Sequence, residues 1–204
     1  YATFGANADT PPWNDERVRR ALNLAIDRDD MILKLEGGRT GDDPTELGLW
    51  SGPVTWAMEW YSLSQEELRK LYVHDPEEAK KLLSAAGYPS IDVTMKHLNL
   101  GKYPDLAQVL AGQLRKIGIN AKLEPQDVAV YLPKTLYQAQ FEMTSFYNLT
   151  YVSPEFPLRF FTTRGIAGTG NWFAYSDKEI DDMNEDIAQT FDKDERRNKV
   201  LDIQ

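Results

Sequence analysis

The chain has 204 residues, a net charge of −9, no cysteine and only two histidines, His74 and His97. That charge excludes a basic surface for nucleic-acid backbone, and the missing thiols exclude disulfides, thiolate metal sites and cysteine nucleophiles. No run approaches the ~18 apolar residues of a membrane helix, and the length suits one good core.

Tyr1–Asn7 alternates weakly and reads as an extended strand. The stretch PPWNDERVRRALNLAIDRDDMI at 11–32 follows. Asn14 is a good N-cap, with Asp15 and Glu16 in the first turn, where the helix end is positive. Val18, Leu22, Ala25 and Ile26 recur at helical spacing, opposite Arg17, Arg19 and Arg20, so the helix to about Asp27 docks one face on a core. Asp27, with Asp30 three residues on, caps a shorter helix through Leu35.

Periodicity then breaks over residues 36–62, a Gly-, Asp- and Pro-rich loop that holds Trp50, Trp56, Trp60 and Tyr61. Long loops in compact domains are uncommon and often functional, and tryptophans in one either anchor it or line a binding surface. Ser64 with Glu67 forms a capping box for a helix to about Lys70. Asp75–Pro76 opens another, with Ala79, Leu82, Leu83 and Ala86 buried and Gly87 at its C′ position.

The clearest topological unit comes next. Ile91, Val93 and Met95 alternate as a strand. Leu106, Val109, Leu110, Leu114 and Ile117 share one helix face, and Gly118 ends the helix. Ile119, Ala121 and Leu123 then alternate again. Strand–helix–strand implies two parallel strands. Asp127 caps a further helix to about Gln138, and Phe141, Met143 and Ser145 begin a third strand. Residues 147–171 are a second long irregular stretch, rich in Tyr and Phe and closed by Trp172 and Phe173. It starts just past a strand's C-terminal end, where open α/β sheets place ligand crevices. Ser176 with Glu179 caps a helix with Ile180, Met183 and Ile187 as its buried stripe, and Asp192 with Glu195 caps a last one.

No GxSxG, HExxH, Walker A or GxGxxG pattern occurs. A glycosidase pair can be drawn from Asp42, Asp43, Glu59 or Glu155 only by choice, and Asp42–Asp43 lacks the ligand spacing of a calcium loop. What remains is a set of aromatic rings on two long loops, which favours binding over catalysis.

The wording of three segments carries more. FGAN…PPWNDERVRRALNLAIDRDDMI, HDPEEAKKLLSAAGYP at 74–89 and LAQVLAGQLRKIGINAKLEPQD at 106–127 resemble, in order and spacing, the family-5 solute-binding proteins of bacterial ABC importers. That family binds oligopeptides, dipeptides and nickel. The resemblance implies an α/β fold, a periplasmic-binding-protein-like lobe of type II, cluster C, with a mixed sheet flanked by helices. Residues 1–204 would be the C-terminal lobe of a two-lobe protein, with 1–10 as a hinge passage and the other lobe absent. It implies no enzyme activity and no cofactor. The partners it implies are a small solute and the transmembrane subunits of an ABC permease, with no nucleic acid. It further implies a monomer outside the cytoplasmic membrane, lipid-anchored in some members.

The ligand is where the pattern departs. Peptide binders of the family commonly carry a W-x-x-D-Y-like stretch whose Asp pairs with the peptide ammonium. Ungapped extension from Phe141 puts Asn148 at the Trp and Tyr151 at the Asp, and no Asp occurs between residues 128 and 176. Peptide is the first ligand class on family frequency. Oligosaccharide stacked on aromatics and a nickel chelate held by His97 or His74 are alternatives, as is a solute-sensing domain of a regulator. The expected ligand-binding residues are Trp56, Trp60, Tyr147, Asn148, Tyr151 and Trp172.

Overall fold

A computed structural model describes residues 2–36, 50–54, 58–147, 153–166 and 170–204. Trp56, Asn148 and Tyr151, three of the expected ligand residues, lie outside the described residues.

The centre is a four-stranded sheet in the order β1-β4-β2-β3, with β1 Ala2–Ala6, β2 Ile91–Leu98, β3 Ile119–Gln126 and β4 Met143–Tyr147. β2 is parallel to β3 and to β4, and β1 is antiparallel to β4, so the sheet is mixed. The crossover between β2 and β3 is helix α5, Tyr103–Arg115. Its apolar stripe is the expected one, with Leu106, Leu110 and Leu114 fully buried.

Helices α1 (Glu16–Ala25), α2 (Arg28–Glu36), α3 (Gln65–Leu71) and α4 (Pro76–Ala85) precede the crossover. Together with α5, α1 and α4 bury Val18, Ala21, Ala79 and Leu83 against Met95, Ile119 and Met143 of the sheet in the main core. Gln113, buried on α5, ties this layer together. Its Oε1 accepts from Asp27 N at 3.1 Å, and its Nε2 donates to Asp27 O at 3.0 Å and Asp30 Oδ2 at 3.1 Å. The opposite sheet face is covered by Tyr131 and by Trp172 and Phe173, packed on Leu98 and Phe146. A smaller cluster joins Val54 and Met58 to the short helix α7 (Glu155–Leu158) and to α8 (Lys178–Gln189) and α9 (Lys193–Asp202).

Three helix starts differ from expectation. The cap of α1 is Asp15, not Asn14. Asn14 N still donates to Thr10 O inside the preceding turn, while the Asp15 carboxylate takes Arg17 N at 2.8 Å and the Arg17 guanidinium at 2.6 Å. The charge-assisted set is the stronger cap. The cap of α8 is Asp177, accepting from Glu179 N at 2.9 Å, because the Ser176 hydroxyl is turned to Thr163 Oγ1 at 2.7 Å. Asp127 makes no side-chain cap, and the helix it was expected to open is one short turn, α6 (Val128–Val130), that widens into a π-helical turn over Tyr131–Leu136. Pro133 has no N–H to continue the α pattern, and Tyr137 N reaches back five residues to Leu132 O at 2.9 Å. The capping box of Ser64 and Glu67 and the caps at Asp75 and Asp192 form as expected.

Candidate functional site

The long irregular stretch after β4 returns to the sheet at its β1 edge. Gly5 makes this possible: a Cβ there would sit 2.5 Å from the Phe173 ring, so only glycine lets that ring lie on the strand. Ala8 N donates to Phe173 O at 2.7 Å and fixes the approach. Gly170 likewise lets the Phe160 ring close in.

Between this segment, the outer edge of β1 and helices α1 and α2 lies a cavity of about 1000 Å³. Successive strand residues point to opposite faces, and Phe4, Gly5 and Ala6 all line it, so it reaches round both sides of β1. Leu22, Ile26, Met31, Leu110, Phe146 and Phe160 make much of the remaining wall apolar. Arg19 and Arg28 are its only charged residues, and no Asp or Glu lines it among the described residues. β1 pairs with β4 alone, which leaves its other edge toward the cavity without a strand partner among the described residues.

Of the expected ligand residues, Tyr147 and Trp172 come together in this wall. Tyr147 packs edge-on against Tyr103, with ring centroids 5.3 Å apart. Trp172 sits in an aromatic cluster with Phe146 at 5.4 Å and Phe160 at 5.3 Å. Its Nε1–H is buried without a partner among the described residues. Trp60 is not part of the wall; it is exposed against α9, with the Arg197 guanidinium 5.2 Å from its ring.

Two wall residues escaped the reading of the sequence as site residues. Trp50 is buried, its Nε1 donating to Asp29 Oδ1 at 2.8 Å and its backbone clasped by the Gln65 side chain. Arg28, at the start of α2, lies among aromatic rings. The Tyr72 ring is 4.3 Å from its guanidinium carbon and the Trp50 ring 5.8 Å, and the Arg69 guanidinium lies over Trp50 at 4.4 Å. Burial pushes the Arg28 guanidinium down to about 10, so it stays a cation at neutral pH, half-buried in the wall. A signal for it existed in the sequence, since a cation at the junction of two helices whose apolar faces both point to one core has little water to reach.

Histidine and acid placements bear on other chemistries. His97 is buried in β2 with Nδ1 3.1 Å from Leu98 O, and His74 lies beside Asp27 at 3.6 Å. Neither lines the cavity. No group of three or more His, Asp or Glu able to hold a metal occurs among the described residues. Glu155 is ion-paired with Arg196 and accepts from Ser153, and Glu59 is exposed; neither is in the cavity wall. Asp42 and Asp43 lie outside the described residues.

A mixed sheet with a βαβ crossover, flanked by helices and with an aromatic-lined cavity at its edge, defines the class, an α/β fold of the periplasmic-binding-protein kind. The same fold is seen in a putative peptide binding protein AppA from Clostridium difficile, with TM-score 0.82 and 23% identity over all of this chain and 40% of that one. The profile of the "Bacterial extracellular solute-binding proteins, family 5 Middle" matches residues 1–168. The chain belongs to that family of solute-binding proteins. It is 32% identical over 147 residues to the periplasmic oligopeptide-binding protein OppA of Escherichia coli K12, a match covering 69% of this chain and 25% of OppA. It is 30% identical over 136 residues to the periplasmic murein peptide-binding protein MppA of the same strain, covering 63% and 24%. The chain thus spans about a quarter of the length of these relatives.

Proposed function

We propose that these residues form one lobe of a two-lobe receptor that captures a peptide outside the cytoplasmic membrane and delivers it to an ABC permease. Residues 1–10 serve as the passage from the other lobe, and hinge closure traps the ligand between the two. The observation that carries the peptide reading is the open edge of β1 beside an apolar cavity. An extended polypeptide satisfies such an edge with its own backbone N–H and C=O groups, and its side chains then enter the apolar volume. A sugar has no ladder of alternating donors and acceptors to match a strand. The names of the relatives OppA and MppA support the same class.

The test is a thermal-shift and calorimetric screen of the full-length receptor against tripeptides, oligosaccharides and nickel chelates. A ligand at 100 times its Kd adds about 2.7 kcal/mol of stability. Peptides alone are expected to shift the midpoint. Stabilisation by oligosaccharide or nickel chelate with none from peptide would overturn the peptide assignment. The 204-residue chain by itself is expected to bind the same peptides more weakly than the receptor; equal affinity would remove the second lobe from the site.

A further inference from the structure

The chain carries 32 acidic and 23 basic residues, yet among the described residues the two charges in the cavity wall are both arginines. The two differ in how they are held. Arg19 spends a guanidinium N–H on Trp13 O at 3.0 Å. Arg28 gives one N–H to Asn23 Oδ1 at 2.6 Å and makes a long contact to Ile26 O at 3.5 Å, both neutral acceptors. The neighbouring acid does not pair with it. The Asp29 carboxylate takes Arg69 at 2.9 Å and the Trp50 indole at 2.8 Å. Among the described residues no hydrogen bond or ion pair joins Arg28 to a carboxylate, and its guanidinium carbon lies 4.3 Å from the Tyr72 ring centroid and 5.8 Å from that of Trp50.

A half-buried cation without a counter-ion has lost part of its hydration, and that penalty is offset when an anion arrives with matching geometry. A guanidinium is planar, and its fork of N–H donors suits the two oxygens of a carboxylate. The surrounding wall asks for the opposite chemistry, an apolar body. We infer that Arg28 anchors the carboxylate of a ligand that carries an apolar group beside it. This deepens the peptide reading, on which it rests in treating the cavity as the ligand site. Two sources supply the chemistry: the C-terminus of a peptide ending in a large apolar residue, and a free amphiphilic carboxylic acid.

The experiment is calorimetric titration of the full-length receptor with Ala-Ala-Phe, its C-terminal amide, decanoate and decanamide, repeated on Arg28→Gln and Arg28→Lys. The acid form of at least one pair is expected to bind about tenfold or more tightly than its amide, the usual weight of a hydrogen-bonded charge. Arg28→Gln should bring the acid down to the level of the amide, and Arg28→Lys should keep part of the preference. A merely structural arginine would weaken acid and amide alike, and that result overturns the anchor. Equal binding of acid and amide by the unaltered receptor overturns it too, without need of a folded variant. Tripeptide binding that ignores amidation, with decanoate bound no more tightly than decanamide, removes the anchor and leaves the peptide reading standing. Decanoate binding that depends on Arg28, with no tripeptide bound, keeps the anchor and removes the peptide reading. Binding of none of the four probes overturns the anchor.

Discussion

Tyr131 shows how a single side chain ties the far face of the sheet. Its ring is fully buried, its hydroxyl is 2.8 Å from Thr144 Oγ1, and it donates to Ser145 O at 3.1 Å. Thr144 Oγ1 in turn donates to Lys96 O at 2.8 Å, so the phenol joins β4 to the strand beside it. Tyr131→Phe removes the hydroxyl and is expected to cost about 1–2 kcal/mol in urea unfolding at pH 7. Burial also pushes this phenol up to about 12, above its usual 10. A raised value means the stability is whole below pH 10 and lost as pH rises through the folded value. The stability gap between wild type and Tyr131→Phe should therefore shrink between pH 10 and about 12; a gap constant over that window would show the phenol to be free of its burial. Asp15 behaves in the opposite sense. The Arg17 side chain and backbone N–H hold its carboxyl near 2, below its usual 3.8. The stability it lends α1 is present above pH 4 and is lost as pH falls toward about 2. Asp15→Asn keeps a cap but drops the charge, so its deficit against wild type should fade over that acid range, and fade further in high salt because the pair is exposed.

At the scale of elements, the βαβ unit is the best-specified part of the chain. Gly118 turns α5 into β3 with φ +92°, and a Cβ there would lie 2.7 Å from Pro89 O. Gly118→Ala combines an unfavourable backbone with a clash against a carbonyl that cannot swing away. It is expected to destabilise by roughly 1–3 kcal/mol or more, read from the chemical-denaturation midpoint; an unchanged midpoint would mean that the turn relaxes freely. The elements legible in the sequence were those where several local signals agreed: the alternation of Ile91, Val93 and Met95, the stripe from Leu106 to Ile117, and the cap-plus-proline start at Asp75–Pro76. The misread ones turned on competition between neighbours. Asp15 took the cap from Asn14 through a charge from Arg17, Asp177 took it from Ser176, and Pro133 diverted a helix into a π turn. The place of β4 between β1 and β2 rests on pairings far apart in sequence, which no local pattern encodes.

At the scale of the molecule, the two aromatic stretches singled out in the sequence meet at one place. Trp50 from the first and Tyr147, Phe160 and Trp172 from the second share the wall of one cavity. Aromatic content in long loops was a usable guide to where a site lies. It gave no guide to polarity, because the lack of acids in the wall among the described residues is a property of the assembled surface. Arg28 shows the same limit. The sequence places it between Asp27 and Asp29, where pairing seems assured, yet the fold sends Asp29 to Arg69 and Trp50 and presents Arg28 to the cavity.

Among the described residues no strand pairs with the outer edge of β1, and this bears on handling the protein. A bare strand edge is a template for any extended chain, including one from a second copy. The 204-residue chain expressed alone is therefore expected to self-associate as its concentration rises, edge to edge, seen in sedimentation velocity as a growing dimer fraction. A tripeptide that occupies the edge should compete with that pairing and return the chain to monomer. Ligand screening by light scattering would then be possible on this lobe alone. A dimer fraction indifferent to peptide would place the self-association elsewhere on the surface.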